Sequence, residues 1–599
     1  MIKVSDYIIN FIAEQGIKDV FMLPGGGCMH IVDSLGKHPK INYIANLHEQ
    51  GSAIAAEAYS QYNNNLGVAL VTTGPGGTNA ITGIANAWIE SIPLLVLSGQ
   101  VKRADLMKDK GVRQMGPQEV DIVSIVSSIT KYAVTVMDPL KIKYHLEEAV
   151  YLAKNGRPGP VWLDIPLDVQ GAKVEEKDMI SFIPKKDVQG DFFSQIEETI
   201  KLINQAKRPV ILAGNGIRLS DALTEFKELI AALNIPVLTT WKTIDFFDED
   251  YELYFGRPGS IASRGANFVQ QNSDLIITIG ARLDYGQVAF SYENFAREAK
   301  KIIVDIDKNE INKINTQIDV EVNASAKEFI LKLKESMVSI KKQNRVEWLK
   351  RCMNWKQKYP VIIDEHIKNK EQVNTYALVN VLSDLLKADD LIVPGSSGSC
   401  SEVTLQAFKV KEGQRVLNSP GLGSMGFGVV ASIGACIASN RRRTICLIGD
   451  GGFQHNIQEL ELLKRYQLPI KIFVLNNNCY ASIRVTQERH FECNYVACDP
   501  NSGLTLPDTI NVAKAYKLKT KRISSQNNLK KEVEEVLQLD GPVICEVMIN
   551  PNTYTSPKVS SEVKPDGKIV SKPMEDLWPF LDRDEFKSNM IIDPLMEEE

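Results

Sequence analysis

Short apolar runs alternate with amphipathic stretches through most of this chain. In its first 170 residues, five apolar runs each stop at a Gly-rich or polar signal. These runs occupy residues 19–23, 41–47, 66–72, 92–98 and 160–165, and the segments between them favour helix. Strands separated by helices are typical of a parallel α/β sheet, whose carboxyl edge carries the ligand sites.

The same alternation recurs in two further regions. Their apolar runs lie near residues 209–213, 236–239, 275–280 and 301–306, and then near 391–393, 445–448 and 470–475. We therefore predict an α/β protein of three doubly wound parallel-sheet domains. The domains are placed at residues 1–175, 190–345 and 373–550, and a C-terminal tail follows at 551–599. A polar linker at about 171–192 and a charged helical connector at 346–372 separate them.

The tail carries four large apolar side chains, which prefer burial: Trp578, Phe580, Leu581 and Phe586. We therefore expect the tail to pack on the body of the protein. A lid over a site is one form that this packing could take.

Composition narrows the class of protein. The 599 residues are 44% hydrophobic and 24% charged, as in ordinary globular proteins, and their length suggests three to four domains. The net charge of −5 gives no reason to expect nucleic acid or an anionic membrane as partner. No signal-peptide pattern opens the sequence and no run of 18 apolar residues occurs. Nine scattered cysteines without a C-x-x-C pair indicate reduced thiols, so we expect a cytoplasmic location.

Residues 445–480 contain the most specific chemical signal. One apolar run stops at the segment Gly449, Asp450, Gly451 and Gly452, and the next stops at Asn476–Asn478. If both runs are parallel neighbours, Asp450 lies beside Asn477 at the carboxyl edge of the sheet. A carboxylate and an amide oxygen suit Mg2+, and glycines at a helix start, predicted near Gln454, suit a phosphate group. The stretch predicts a metal–diphosphate site.

This combination of Gly-Asp-Gly and a distant Asn-Asn resembles the diphosphate motif of thiamine diphosphate (ThDP) enzymes. Residues 21–100, which include FMLPGGG, HEQGSAIAAEAY and VTTGPGGTNAITGIANAW, resemble the pyrimidine-binding domain of the acetohydroxyacid (acetolactate) synthase group. The resemblance implies pyrimidine-binding, central Rossmann-like and diphosphate-binding domains. It assigns to Glu49 the N1′ atom of the aminopyrimidine, where a carboxyl partner stabilises the imino tautomer. By itself, a Glu at a helix start is more simply a solvated residue favoured by the helix dipole.

The resemblance assigns further residues to the site. It places Gly26 and Gln118 with Glu49 among the catalytic residues, and the carbonyl of Cys479 with Asp450 and Asn477 as ligands of Mg2+. The remaining residues implied to contact ThDP are Thr73, Gly398, Ser399, Cys400, Gly423, Met425, Gly449, Asp450, Gly451, Gly452 and Asn477. Cys400 could be taken for a nucleophile, but no His is close in sequence, and we interpret it as a lining residue.

The central region resembles the segments that contact FAD in acetolactate synthases. Gly214 and Gly216 follow an apolar run, as in a dinucleotide turn, although two glycines are a weak match. The resemblance implies that Arg282 faces the phosphates of FAD and that Asp305 or Asp307 lies on its adenosine side. The alternative is a central domain that serves only as scaffold. Tyr285 and Gly286 depart from the pattern of the synthases.

The resemblance implies an enzyme that decarboxylates a 2-oxo acid, pyruvate above all, and transfers the two-carbon unit to a carbonyl acceptor. The acceptor is either a second 2-oxo acid, as in acetolactate synthase, or a keto group on a nucleotide-linked sugar. Thr486, where anabolic synthases carry Trp, and a tail similar to those of keto-sugar enzymes favour the sugar. His455 replaces an apolar residue and either lines the acceptor pocket or packs.

Three rival functions are compatible with the same fold. A simple decarboxylase is disfavoured because the sequence has no His-His pair, which such enzymes use to protonate the intermediate. A flavin-dependent oxidase is the second rival function, and a non-catalytic binding protein is the third. Since the family grips ThDP between two subunits, we expect a homodimer or homotetramer.

Overall fold

The computed structural model describes residues 1–108, 110–184, 190–368, 372–563 and 567–595. Within these ranges the chain builds parallel sheets of six, five and six strands, each flanked by helices. The predicted fold class of three parallel α/β sheets is confirmed. No helix in the described ranges is long and apolar enough to cross a membrane.

The first sheet has the strand order β3-β2-β4-β5-β7-β6, and all its neighbours are parallel. Strands β1 and β8 form a separate antiparallel pair. The strands are β1 (Ile2–Lys3), β2 (Asp19–Met22), β3 (Asn42–Ala45), β4 (Gly67–Val71), β5 (Leu94–Gln100), β6 (Tyr132–Thr135), β7 (Pro160–Pro166) and β8 (Lys173–Val174). The helices are α1 (Val4–Glu14), α2 (Met29–Lys37), α3 (Glu49–Asn63), α4 (Pro75–Ile89), α5 (Ile122–Val126), α6 (Ile142–Lys154) and α7 (Leu167–Gly171).

The central sheet is parallel, with the order β10-β9-β11-β12-β13. Its strands are β9 (Pro209–Ala213), β10 (Val237–Thr239), β11 (Leu275–Ile279), β12 (Lys300–Asp305) and β13 (Val320–Asn323). The helices are α8 (Phe193–Gln205), α9 (Gly216–Leu219), α10 (Leu223–Leu233), α11 (Arg264–Gln271), α12 (Lys308–Asn312), α13 (Ala326–Glu335), α14 (Val346–Lys358) and α15 (Asp364–Lys368). Within the predicted connector, residues 346–358 and 364–368 are helical, and α14 packs on α11 and buries Trp348 and Trp355. Residues 369–371 of this connector and 185–189 of the predicted linker lie outside the described residues.

The third sheet is parallel, with the order β15-β14-β16-β17-β19-β18. Its strands are β14 (Leu391–Pro394), β15 (Arg415–Val416), β16 (Thr444–Gly449), β17 (Ile470–Asn476), β18 (Lys519–Ile523) and β19 (Val543–Met548). The helices are α16 (Thr375–Leu385), α17 (Ser399–Ala407), α18 (Phe427–Ala438), α19 (Asp450–Phe453), α20 (Leu460–Tyr466), α21 (Ala481–His490), α22 (Thr509–Ala515) and α23 (Leu529–Gln538).

Helices α3 and α18 join the first and third domains through small residues. The two helices share one apolar core with both neighbouring sheets, and Ala55 and Gly434 lie at their crossing. A Cβ atom on Gly434 would lie 2.1 Å from the carbonyl oxygen of Ala55. The absence of a side chain there therefore sets how closely the two domains approach.

The tail forms β20 (Ser561–Val563), β21 (Ile569–Ser571) and α24 (Arg583–Asn589), and it packs on the central domain. Asn267 donates to the carbonyl oxygen of Met574, and the indole of Trp355 donates to the side chain of Asn589. Phe586 is buried, and Trp578 and Leu581 are half-buried. The expected burial of Phe580 is wrong: its ring is 47% exposed, beneath the guanidinium of Arg583. Residues 564–566 and 596–599 of the predicted tail lie outside the described residues.

Candidate active site

The two loops that are predicted to bind diphosphate follow β14 and β16. They lie at the switch point of the third sheet, where the order of the strands reverses. Strands β14 and β16 are parallel neighbours, so the loops after Pro394 and Gly449 leave the same edge. Helix α17 begins at Ser399, directly after Gly398, whose φ of +70° suits a residue without a Cβ atom. Helix α19 begins at Asp450, four residues before the helix start that the sequence predicts. Backbone N–H groups of two helix starts thus face one crevice, an arrangement that favours anions.

Asp450 and the segment after β17 meet at this edge. The Asp450 carboxylate is 4% exposed and accepts from the backbone N–H of Gly451 at 2.8 Å and of Asn478 at 2.7 Å. The side-chain oxygen of Asn477 accepts from the backbone of Cys479 at 3.2 Å. Burial raises the pKa of Asp450 to about 6, because a carboxylate is costly away from water unless a cation offsets it.

The donor set fits a hard cation such as Mg2+. The described residues contain no cluster of three or more His, Cys, Asp or Glu side chains that could hold a metal. A site here would combine the one carboxylate of Asp450 with the amide oxygen of Asn477, a backbone carbonyl and oxygens of a phosphate. This is the manner in which Mg2+ is commonly held in proteins.

The segment 419–428 reaches the same crevice. Gly423 and Gly426 have φ values of +69° and +85°, which favour glycine, and Met425 between them is half-buried. A Cβ atom on Gly426 would lie 2.5 Å from the side-chain nitrogen of Asn456 and 2.8 Å from His455. The Cβ atom of His455 therefore lies against the turn that holds Met425, while the His455 side chain as a whole is exposed.

Cys400 lies inside the crevice wall and not in a nucleophilic setting. Its side chain is 4% exposed, and its Sγ donates to the carbonyl oxygen of Ser397 at 3.1 Å. Burial raises the pKa of the thiol to about 12, so the nucleophilic thiolate is scarce at neutral pH.

We expect Cys400→Ser to retain activity within about tenfold of wild type, because the hydroxyl can keep the hydrogen bond to Ser397. Steady-state turnover of pyruvate, with ThDP and Mg2+ at saturation, measures the effect. A loss comparable to removal of a covalent nucleophile, about a millionfold in a well-studied hydrolase, would contradict the interpretation as a lining residue.

The pyrimidine-side residues gather at the switch point of the first sheet, at the ends of β2 and β4. Glu49 is the first residue of α3, is 6% exposed, and accepts from the side chain of Asn79 at 3.0 Å. The hydroxyl of Thr73 is buried and has no protein partner among the described residues. A Cβ atom on Gly27 would lie 1.8 Å from that hydroxyl, so the glycine backbone and Thr73 lie in direct contact.

Gly26 and Gln118 flank this group. Nothing lies within 4 Å of the position that a Cβ atom on Gly26 would take, so its backbone faces open space. Gln118 has a φ of +63° and an exposed side chain, and its carbonyl oxygen lies 2.0 Å from the position of a Cβ on Gly74. Glycine is therefore required at residue 74 for the loop of Gln118 to approach.

Helix α4 separates the two halves of the site within one chain. Asn79 of α4 contacts Glu49, whereas Asn86 of the same helix donates to the hydroxyl of Ser424, beside Met425. Seven residues of helix correspond to about 10 Å. Glu49 and the Met425 segment of one chain therefore meet different ends of α4.

A cavity of about 910 Å³ opens at the carboxyl edge of the central sheet, between β9 and β11. Gly216, Arg282 and Asp305 line it, together with Tyr285 and Gly286. Gly214 does not: a Cβ atom there would lie 2.1 Å from the carbonyl oxygen of Gly280, so this glycine serves strand packing.

The charged residues in and beside the cavity differ in how far protein partners already engage them. Arg282 donates to the carbonyl oxygen of Ile89 at 3.0 Å and lies 3.3 Å from Asp284. Asp307 caps α12 and binds Arg157 at 3.0 Å, so its two oxygens are engaged within the protein. Asp305 is the acidic residue of this pair that faces the cavity, and burial raises its pKa to about 6.

Two residues near the site were not assigned from the sequence. The side-chain nitrogen of Gln454, directly after the Gly-Asp-Gly-Gly-Phe segment, is buried without a protein partner among the described residues. Glu459 extends from the third domain to the first, where it accepts from Asn46 at 3.0 Å and from the backbone of Leu47 at 3.1 Å. Only their position after the diphosphate motif could have identified them.

The buried carboxyl group of Glu459 should make the free energy of unfolding depend on pH. Burial raises its pKa to about 7, above the usual 4.5, so the folded protein keeps a proton that the unfolded chain has released. Its contribution is therefore lost as pH rises through 7, by on the order of 1 kcal/mol between pH 6 and pH 8. We expect Glu459→Gln to reduce the fall in unfolding free energy over this range, measured by urea titration at both pH values. An equal fall in wild type and variant would show that Glu459 does not titrate as described.

Comparison with known proteins identifies the family. The chain matches the thiamine pyrophosphate enzyme N-terminal TPP binding domain over residues 2–125, the central domain over 196–333 and the C-terminal TPP binding domain over 396–547. It is 34% identical to the acetolactate synthase large subunit of Cyanidium caldarium, over 91% of this chain and 93% of the relative. It is 30% identical to the acetolactate synthase large subunit of Lactococcus lactis, over 94% and 96% of the two chains. The chain therefore belongs to the thiamine diphosphate-dependent acetolactate synthase-like family and is an enzyme that binds thiamine diphosphate.

Proposed function

We propose that this enzyme decarboxylates a 2-oxo acid, pyruvate in the first instance, and transfers the two-carbon unit to a carbonyl acceptor. The proposal rests on the contact between Asp450, at the start of α19, and the Asn477–Cys479 segment, which precedes α21. The relatives named acetolactate synthase support the same reaction class.

Two groups of residues in this chain would contact the two ends of the cofactor. Bound ThDP supplies an electron sink when CO2 leaves a 2-oxo acid. Asp450, Asn477 and the carbonyl of Cys479 would hold Mg2+, and the helix starts at Ser399 and Asp450 would hold the diphosphate. Glu49 would hold a proton at N1′ of the aminopyrimidine, in a setting from which water is largely excluded.

A keto group on a nucleotide-linked sugar is the acceptor that we favour. Thr486 is exposed on α21 and leaves room where the synthases carry a Trp. The competing acceptor is a second 2-oxo acid, which would make the enzyme an acetolactate synthase. The names of the curated relatives favour that second candidate.

We propose that the active enzyme is at least a homodimer, with a homotetramer as the larger form. Glu49 and the Met425 segment contact different ends of α4 in one chain, about 10 Å apart along the helix axis. A second chain could place its own Met425 segment against Glu49. Sedimentation of the active enzyme tests this, and full activity in a monomer contradicts it.

We also propose that FAD occupies the central cavity. Its volume of about 910 Å³ lies at the upper end of the range of cofactor sites, and Gly216, Arg282 and Asp305 line it. Flavin absorbance that accompanies the purified protein and is released on denaturation would support the proposal. A cavity that stays empty of flavin after incubation with FAD would favour the scaffold alternative.

One experiment separates the candidate functions. The enzyme is incubated with pyruvate, ThDP and Mg2+, with and without keto-sugar nucleotides, and the products are identified by mass. A branched sugar with a two-carbon addition supports the favoured acceptor, whereas rapid acetolactate formation unaffected by any sugar supports the second candidate. Oxygen consumption with reduction of FAD during turnover would instead indicate an oxidase.

A further inference from the structure

The end of α21 meets the tail in a cluster of two cations and two aromatic rings. The Arg489 guanidinium lies 5.4 Å from the ring centre of Trp578 and 5.9 Å from that of Tyr554. Trp578 pairs with Lys558 across an antiparallel bridge, with backbone hydrogen bonds of 2.7 and 2.9 Å. The Arg489 guanidinium thus lies over the Trp578 ring, and Lys558 lies directly across from Trp578 in the paired segment.

These two cations have no ion-pair partner among the residues that the structure describes. The nearby carboxylates are engaged elsewhere: Glu488 accepts from the hydroxyl of Tyr554 at 3.1 Å, and Glu402 accepts from Thr555 at 2.6 Å. Burial and the positive charge of Arg489 both lower the pKa of Lys558, although Glu402 opposes them. Arg489 is exposed and Lys558 is half-buried, so water screens their repulsion only in part, and a bound anion would offset the remainder.

The cluster lies at the rim of the candidate active site. Helix α21 starts two residues after Cys479, and Arg489 lies about 12 Å further along its axis. Glu402, which acts on Lys558, belongs to the first turn of α17, whose start holds Gly398. The two cations are thus linked to both predicted cofactor loops, Arg489 through α21 and Lys558 through the first turn of α17.

We propose that Arg489 and Lys558 bind the phosphate groups of a nucleotide-linked acceptor. A guanidinium presents two parallel N–H groups to phosphate oxygens, and an ammonium adds a mobile point charge. Cation–π contacts with the two rings position the guanidinium and leave its N–H groups without a protein acceptor in the described part of the chain. This inference rests on the proposed function, because it assigns the phosphates of the acceptor that the reaction would use.

The test is binding of nucleoside diphosphates to the holoenzyme saturated with ThDP and Mg2+. Titration calorimetry with uridine, cytidine, guanosine and thymidine diphosphate, and with inorganic pyrophosphate, gives the Kd values. We expect Arg489→Gln and Lys558→Gln each to raise Kd about tenfold or more, because each removes one charge-assisted contact. Lys342→Gln, which removes an exposed lysine of the central domain, is the matched control and should leave Kd unchanged.

Variants that keep the positive charge distinguish loss of a phosphate contact from a purely structural effect of the substitution. Arg489→Lys and Lys558→Arg should retain binding within about threefold, whereas loss through misfolding would also reduce the increase in Tm that ThDP and Mg2+ produce. Equal Kd values for wild type and the Gln variants, or no binding by wild type at millimolar concentration, overturn the phosphate site. If the variants lose binding but every sugar nucleotide yields only acetolactate, the phosphate site stands and the proposed acceptor fails.

Discussion

Replacement of Glu49 by Gln is expected to reduce turnover of pyruvate by about 100- to 10,000-fold, the usual contribution of a positioned acid–base group. Glu49 is 6% exposed at the start of α3, and its carboxylate accepts from Asn79 at 3.0 Å. The amide oxygen of Gln can keep that hydrogen bond and nearly the same volume. It cannot hold or share the proton that the proposed role of Glu49 at N1′ of the aminopyrimidine requires, so the loss should fall on kcat.

Three measurements separate this effect from loss of the fold or of the cofactor. Steady-state kinetics gives kcat, and the increase in Tm on addition of ThDP and Mg2+ reports cofactor binding. Glu298→Gln, an equivalent change at an exposed position of the central domain, should behave as wild type. A fully active Glu49→Gln would remove Glu49 from the catalytic residues and reopen the mechanism.

Much of this fold could be predicted because the buried strands have strong sequence signals. Strands β4, β5 and β7 are buried along their whole length, so their sequences are continuous apolar runs that end in glycine or polar residues. Parallel strands bring those ends to one edge, which is why Asp450 and Asn477 could be placed together from residues that are far apart in sequence.

The weaker predictions failed for local physical reasons. Strands β6 and β18 lie at sheet edges and are partly exposed, so neither forms a buried apolar run. The sequence of β18, KTKRI, is also mostly charged. The helix after Gly449 starts early because Asp450 accepts from the backbone of Gly451 within the first turn. Gly214 resembled a dinucleotide glycine, although its lack of a side chain serves contact with Gly280, which no spacing reveals.

Contacts between domains were the least predictable part of the site. The link from Glu459 to Asn46 joins residues that are 413 positions apart, and only the packing of α3 on α18 brings them together. The same packing sets Glu49 and Met425 at different ends of α4. The sequence predicted residues for the site, whereas the distance between its two halves required the structure.

The Asp450→Asn variant is expected to lose cofactor binding while its apo form remains as stable as the wild-type apo form to within a few degrees in Tm. Asn can still accept one of the two backbone hydrogen bonds, from Gly451 at 2.8 Å or Asn478 at 2.7 Å. The lost hydrogen bond, about 1 kcal/mol, is offset because a buried carboxylate with its pKa raised to about 6 is no longer present. What disappears is the negative charge that would attract Mg2+ in the proposed site.

The change in Tm on addition of ThDP and Mg2+ measures the loss of cofactor binding. At 100 times its Kd, a ligand that binds only the folded state adds about 2.7 kcal/mol of stability. Wild type and Asp540→Asn, an equivalent change at an exposed position, should therefore show a clear rise in Tm with ThDP and Mg2+. Asp450→Asn should show none and should turn over pyruvate at least about 100-fold more slowly, because the diphosphate is no longer anchored opposite Glu49. If Asp450→Asn shows the same rise in Tm as wild type, the metal is held by other groups. The edge formed by β16 and β17 would then have another function.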